Sequence, residues 1–243
     1  SLTDVTGVQT CALPISAKEA EGRWTPLFNG RDLSGWSVKC TVADTNQAYW
    51  RVADGAIVVD SIQDPKHDYV WLMADGEHGD FLLRLRFQPF RGVAGNSGVQ
   101  FRSRFDDAAG WLDGPQVDIH PPGPWRTGFI YDETRGVRKW IAPSLAKVSD
   151  ARPEMAPTGV PFRYADDPEP WNDLRILARG TRVIVELNGR IVRDADLKGV
   201  LDDDVHRERR TGLRGRIALQ LHARNALRMR FRDIAVAEMA ANQ

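Results

Sequence analysis

Gly95-Asn96-Ser97-Gly98-Val99-Gln100-Phe101-Arg102-Ser103 and, a few residues on, Gly114-Pro115-Gln116-Val117-Asp118-Ile119-His120 alternate apolar with polar side chains. Period two is the signature of a strand with one buried face. Val99, Phe101, Val117 and Ile119 then point into a core, leaving Gln100, Arg102, Gln116, Asp118 and His120 on the opposite face. A plain solvated sheet face carries Thr, Lys, Glu and Ser. Amides, a guanidinium, a carboxylate and an imidazole are instead the groups that grip a polyhydroxylated ligand. That face is the expected site.

The same pattern extends outward. Phe81, Leu83, Leu85 and Phe87 alternate with Leu82, Arg84 and Arg86, and Leu174, Ile176 and Ala178 with Arg175 and Arg179. Val183–Leu187, Asn188-Gly189 and Arg190–Arg193 spell a hairpin, because a type I′ turn needs positive φ at both central residues. Ile217, Leu219 and Leu221 face inward in a further strand, with Ala218, Gln220 and His222 on its other side. The last strand, near Leu227 to Glu238, changes phase between Phe231 and Ile234, which predicts a bulge at Arg232-Asp233. Helical signal is weak, apart from a charged stretch over 194–210 that reads as a short helix or a loop. Residues 142–170 are rich in Pro, Ala and Asp and read as a long excursion; loops of that length usually serve a function, here covering a binding face. Many short strands with hairpin turns predict an all-β fold, a two-sheet antiparallel sandwich or jelly roll.

Composition sets the bounds. The 243 residues carry 33 Lys and Arg against 33 Asp and Glu, a formal net charge of zero. That balance lacks the basic excess expected of a nucleic-acid or anionic-membrane ligand. No run of about 18 apolar residues marks a membrane span. Cys11 and Cys40 are the only cysteines, too few to indicate a disulfide framework or a zinc site. Residues 1–16 show no period and no signal-peptide pattern; they resemble translated sequencing read-through and read as an artefactual or disordered segment. Residues 17–243 then form a single β-sandwich domain.

Several stretches together carry a family resemblance: Trp24-Thr-Pro-Leu-Phe-Asn-Gly-Arg-Asp-Leu-Ser-Gly-Trp36, Trp50-Arg-Val-Ala-Asp-Gly-Ala-Ile57, Gly95-Asn-Ser-Gly98 and Arg126-Thr-Gly-Phe-Ile-Tyr-Asp-Glu133. Trp171-Asn172-Asp173, Leu187-Asn188-Gly189 and Gly215-Arg-Ile-Ala-Leu-Gln-Leu-His222 follow in order. In this sequence of motifs, over roughly Trp24 to Glu238, the chain resembles the 3-keto-disaccharide hydrolase family. The resemblance implies a concanavalin-like fold and action on glycosides or disaccharides already oxidised at C3, by hydrolysis or by elimination and hydration. It also implies a periplasmic or secreted setting. Many relatives carry acid, apolar residue and amide where this chain has Gln116-Val117-Asp118, the reverse order.

That chemistry needs few groups. A ketone at C3 acidifies the C2 proton, so a modest base can remove it and the resulting enediolate can expel the C1 oxygen. Asp118 and His120 are the candidate bases. Gln100, Arg102, Gln116, Gln220 and His222 are candidates for binding the keto oxygen and hydroxyls, and Tyr131 and Asp132, with the adjoining Glu133, for closing over the sugar. Trp125 and Trp140 flank that segment as stacking platforms, while Trp171 is expected in the core. His67, His78 and His206 read as bystanders. No cofactor is certain. A divalent ion on Asp118, His120 and His222 would stabilise the enediolate, although no ligand-spacing motif is present. A lectin-like domain that binds sugar and leaves it whole is the alternative. A laminarinase-like glucanase is disfavoured by the lack of a Glu-x-Asp-x-x-Glu pattern.

Overall fold

A computed structural model describes residues 24–239. Two antiparallel sheets face each other across a continuous apolar core. Strands are numbered in chain order. The first sheet runs β15 (Arg190–Asp196), β14 (Arg182–Leu187), β13 (Asn172–Arg179), β6 (Phe81–Ala94), β17 (Leu227–Glu238), β4 (Ala56–Asp60) and β3 (Trp50–Ala53), with β1 (Thr25–Pro26) joined to β17. The second runs β12 (Ser144–Leu145), β11 (Lys139–Ala142), β10 (Ile130–Asp132), β9 (Pro115–Ile119), β7 (Ser97–Asp106), β16 (Arg216–Leu221), β5 (Val70–Ala74) and β2 (Trp36–Cys40). A short strand, β8 (Trp111–Asp113), folds back on β7. The predicted sandwich is what forms.

Alternation places the core. Phe81, Leu83, Leu85 and Phe87 of β6 meet Val99 and Phe101 of β7, Val117 and Ile119 of β9, and Ile217, Leu219 and Leu221 of β16. Burying each such side chain contributes about 1.5–3 kcal/mol. Asn188 and Gly189 adopt φ of 50° and 76°, the mirror-turn geometry that pairs Leu187 with Arg190. The expected bulge is present as well: the β17–β6 register slips between Arg232 and Ala235, with Asp233 at φ 55°. The charged stretch after β15 yields one short helix, α1 (Asp204–Arg209), capped by the Asp203 carboxylate accepting from the His206 amide.

Two expectations are corrected. Trp171 does not pack in the core; it is half-buried on the outer side of the first sheet, between the guanidinium groups of Arg230 and Arg232. The segment 1–16 lies outside the described residues. Among the described residues no helix is long and apolar enough to cross a membrane.

Candidate active site

The outer face of the second sheet is polar where its strands are central. β9 pairs with β7 so that Asp118 stands opposite Gly98, and β16 places Gln220 on the other side of Gly98. Gln116 stands opposite Tyr131 of β10, which in turn faces Trp140 of β11. The alternation Ile130, Tyr131, Asp132, Glu133 sends Ile130 into the core and Glu133 to the same face as Tyr131. Gln116, Asp118, Tyr131, Glu133 and Trp140 line a pocket of about 220 Å³ together with Tyr69, Asn96, Arg126, Arg138, Val148 and His222. Drug-sized ligands occupy larger sites, so this volume suits a single sugar ring. Val148 belongs to the long excursion after β11, which therefore does reach the binding face.

The pocket is unusual in its hydrogen-bonding balance. Asp118 and Glu133 are almost completely buried. Glu133 Oε1 accepts from Gln220 Nε2 at 3.2 Å, and Asp118 Oδ1 accepts a long bond from Gln116 Nε2 at 3.4 Å. Arg126 Nε lies 3.0 Å from Asp118 Oδ2, yet its hydrogen is not aimed at that oxygen and neither atom completes a hydrogen bond. Asn96 Oδ1, Gln116 Oε1, Asp118 Oδ2, Glu133 Oε2 and Gln220 Oε1 are all buried acceptors without a donor. Buried polar groups are nearly always paired, because leaving one bare costs about 1–3 kcal/mol. Four of these acceptors, those of Asn96, Gln116, Asp118 and Glu133, belong to residues lining one small pocket, and they call for a ligand rich in hydroxyl donors.

Electrostatics prepare the two carboxyls for proton transfer. Burial pushes the Asp118 carboxyl up to about 7, against the pull of the Arg126 guanidinium and the Gln116 amide. Burial likewise pushes Glu133 up to about 7, opposed by Gln220 and Arg138 and reinforced by the charges of Asp118 and Asp132. Two interacting acids of this strength favour a state with one proton between them. His222 is held neutral by burial. Its Nδ1–H donates to the Ala223 carbonyl at 3.0 Å, and its Nε2 accepts the Tyr69 hydroxyl at 2.9 Å.

The anticipated residues divide accordingly. Gln116, Asp118, Tyr131 and His222 come together in the pocket, and Gln220, fully buried outside its lining, supports it by donating to Glu133. Gln100 shares their face but does not line the pocket, because its amide donates to the Leu112 carbonyl of β8 at 3.2 Å. His120 stands beyond the end of β9, half-buried, its Nδ1–H given to the Pro121 carbonyl at 2.7 Å; burial and the nearby Arg126 charge keep it neutral.

Arg102 and Asp132 are elsewhere. At Arg102 the chain bulges, φ reaching 48°, so that Phe101 and Arg102 together oppose Ile217. The guanidinium turns inward, fully buried, and donates to the carbonyls of Gly79, Gly180 and Gly212 and to Asp80. It ties loops of both sheets together. Asp132 points away from the pocket and accepts from His206 Nε2 at 2.8 Å and from the Thr134 amide at 3.0 Å. His206, expected to be a bystander, is instead a buried link: its Nδ1 donates to Asp203 at 2.7 Å. Of the two stacking candidates, Trp140 lines the pocket, whereas Trp125 packs against the core.

Arg126, Arg138 and Tyr69 were not anticipated as site residues, whereas Glu133, expected with Tyr131 and Asp132 to close over the sugar, does line the pocket. Within that segment the alternation from Ile130 puts Tyr131 and Glu133 on the pocket face and Asp132 on the other. Asp118, His120 and His222 do not make a metal site: among the described residues no three His, Cys, Asp or Glu side chains are grouped to hold an ion. The donor set does not fit the divalent ion, and no chemical step is routed through one. A larger groove of about 470 Å³ lies on the outer face of the first sheet. Its Arg86 is already paired with Asp173 at 2.6 Å and Asp233 at 3.8 Å, so its charges are spent on each other.

Comparison with known proteins agrees with this architecture. Over 93% of its length the chain superposes on 98% of a Parabacteroides distasonis protein provisionally assigned as a glycosyl hydrolase, with TM-score 0.56 and 19% identity. A Bacillus subtilis protein of unknown function with a galectin-like fold gives TM-score 0.59 at 14% identity, covering 90% of this chain and 96% of that one. The carbohydrate-binding module CBM66 of Bacillus subtilis gives 0.53 at 14% identity, covering 84% and 96%. At such identities these likenesses show the fold. No protein with a curated description is matched. A family model does match, over residues 23–237, and it describes a 3-keto-alpha-glucoside-1,2-lyase-like domain.

Proposed function

Because the chain belongs to the family of 3-keto-alpha-glucoside-1,2-lyase-like domains, we propose that its pocket cleaves glycosides whose glucose unit carries a ketone at C3. A carbohydrate-related role is common ground for the family. The observation that supports the catalytic reading is the pair of buried carboxyls, Asp118 and Glu133, each raised to about 7 beside unpaired acceptors. A site that only bound sugar would have no use for two half-ionised acids, whose burial is costly.

Asp118, ionised beside Arg126, takes the C2 proton. The C–H electron pair moves into a C2–C3 double bond, and the C3 oxygen becomes an enolate. Arg126, whose Nε has no hydrogen-bond acceptor in the pocket, donates to that oxyanion. As the ketone reforms, a C1–C2 double bond forms and the C1–O bond breaks. Glu133, protonated, gives its proton to the departing oxygen. The two carboxyls have then exchanged states. Water adds back to C1 by the reverse roles: Glu133 accepts its proton and Asp118 returns one to C2. The product is free 3-keto-glucose and the starting protonation is restored. Gln116 and Asn96 hold the ring hydroxyls, and Gln220 positions Glu133. His120, neutral with Nε2 open, is the alternative proton carrier at the pocket's edge. A periplasmic or secreted location belongs to the same proposal.

The test is to offer methyl 3-keto-glucoside and methyl glucoside and follow products by mass. Loss of methanol from the keto compound alone, giving 3-keto-glucose or the unsaturated keto sugar, supports the reading. Binding of both sugars without turnover of either overturns it in favour of a lectin-like domain.

A further inference from the structure

The mouth of the pocket carries a cation that the steps above leave idle. Arg138 ends the turn between β10 and β11, where the amides of Val137 and Arg138 both donate to the Thr134 carbonyl, at 2.8 and 3.1 Å. Its φ of 42° lies in the left-handed region, so the backbone there is held by context rather than by preference. The guanidinium stacks 4.6 Å from the centre of the Trp111 ring, and its charge opposes the rise that burial imposes on the nearby Tyr131 hydroxyl. Trp111 is itself fixed, donating through Nε1 to the Glu133 carbonyl at 2.8 Å.

Each neighbouring arginine has an acid within ion-pair distance: Arg126 has Asp118, Arg135 has Asp113 and Arg104 has Glu77. Arg138 is exposed, lines the pocket, and has no ion-pair partner among the described residues. A stacked guanidinium keeps its edge donors free, in the fork geometry that matches a planar carboxylate. Charge balance points the same way. With Asp118 and Glu133 near 7 and His222 neutral, the two arginines leave this pocket positive at neutral pH, on a chain whose formal charge is zero.

We propose that Arg138 forms a subsite for a carboxylate on the leaving group, so that the substrates are 3-keto-glycosides of acidic alcohols or phenols. The sugar ring fills the pocket over Gly98, its C1 oxygen points to the mouth, and the acid group of the departing portion meets the Arg138 fork above Trp111. This rests on the catalytic reading for its substrate, but the subsite is a binding claim and can be measured apart from turnover.

The experiment pairs a 4-carboxyphenyl 3-keto-glucoside with its neutral 4-carbamoylphenyl isostere and compares kcat/KM for the wild type, Arg138→Gln and Arg138→Lys. A second arm measures binding of the corresponding unoxidised glycosides by calorimetry. The wild type should prefer the carboxylate about fivefold at low salt, the size expected of an exposed charge pair, with the ratio falling as salt rises. Arg138→Gln should bring the ratio near one, and Arg138→Lys should keep part of it. A matching pair built on glucuronate distinguishes a sugar acid from an aromatic acid. A wild-type ratio near one in both pairs, or a ratio that Arg138→Gln leaves intact, overturns the subsite. If neither keto substrate turns over while the binding preference still depends on Arg138, the subsite stands and the catalytic reading falls.

Discussion

The side chain of Gln116 lies directly across the backbone of Gly98: a Cβ at residue 98 would come within 2.7 Å of Gln116 Cγ and Nε2. Gly98 sits between Asp118 on one neighbouring strand and Gln220 on the other. The missing side chain is therefore what lets acid and amides from three strands close over one point. A glycine in a strand usually marks such a close approach.

Gly98→Ala should push Gln116 off its seat and lower turnover of a 3-keto-glycoside by about tenfold or more, since small misplacements near reacting groups are costly. The stability loss should be about 1–3 kcal/mol, the range for overfilling a packed site. Urea titration beside steady-state kinetics checks both. Unchanged kinetics would mean that the position of Gln116 is irrelevant to the chemistry.

The buried carboxyls make stability fall with pH. The carboxyl of Asp118 is raised from 3.8, and that of Glu133 from 4.5, to about 7. Between those limits the unfolded chain ionises first and holds fewer protons. The stabilising contribution is thus fully present below about pH 4 and is lost as pH rises through 7. Asp118→Asn removes one such group. It should equal the wild type near pH 4 and exceed it by about 2 kcal/mol at pH 8, read from denaturation midpoints at both pH values. Equal midpoints at pH 8 would mean that Asp118 is not held against ionisation.

Arg102→Met should act on the fold and not on the sugar. It strips three carbonyls and Asp80 of their buried donor, at a cost of about 3–5 kcal/mol. Thermal melting measures that loss. Calorimetry on the fraction that remains folded should give the wild-type affinity for a glucoside; a selective loss of affinity would return Arg102 to the site.

Arg102 also marks where sequence reading stops. The alternation of Val99, Gln100 and Phe101 holds, but one inserted residue in the ladder reverses the phase at position 102, and nothing in Phe-Arg-Ser announces it. Where apolar residues bracket a position on both sides, as Val117 and Ile119 bracket Asp118, the face was legible. The bulge at Asp233 was legible too, because apolar residues resume on its far side out of phase. Tyr131, Asp132 and Glu133 read together as a segment closing over the sugar, and only the β10 alternation separates Glu133, in the pocket, from Asp132, outside it. Arg126, Arg138 and Tyr69 arrive from turns and from the loop that leads into β5, brought in by pairings that no local pattern encodes.

Proton abstraction at C2 by Asp118 is tested most directly in deuterium oxide, by proton NMR of methyl 3-keto-glucoside and its product. With the wild type, the 3-keto-glucose released should carry deuterium at C2, and Asp118→Asn should release none while still binding the sugar. Unchanged turnover by Asp118→Asn, or turnover by it with deuterium still entering C2, would contradict the account.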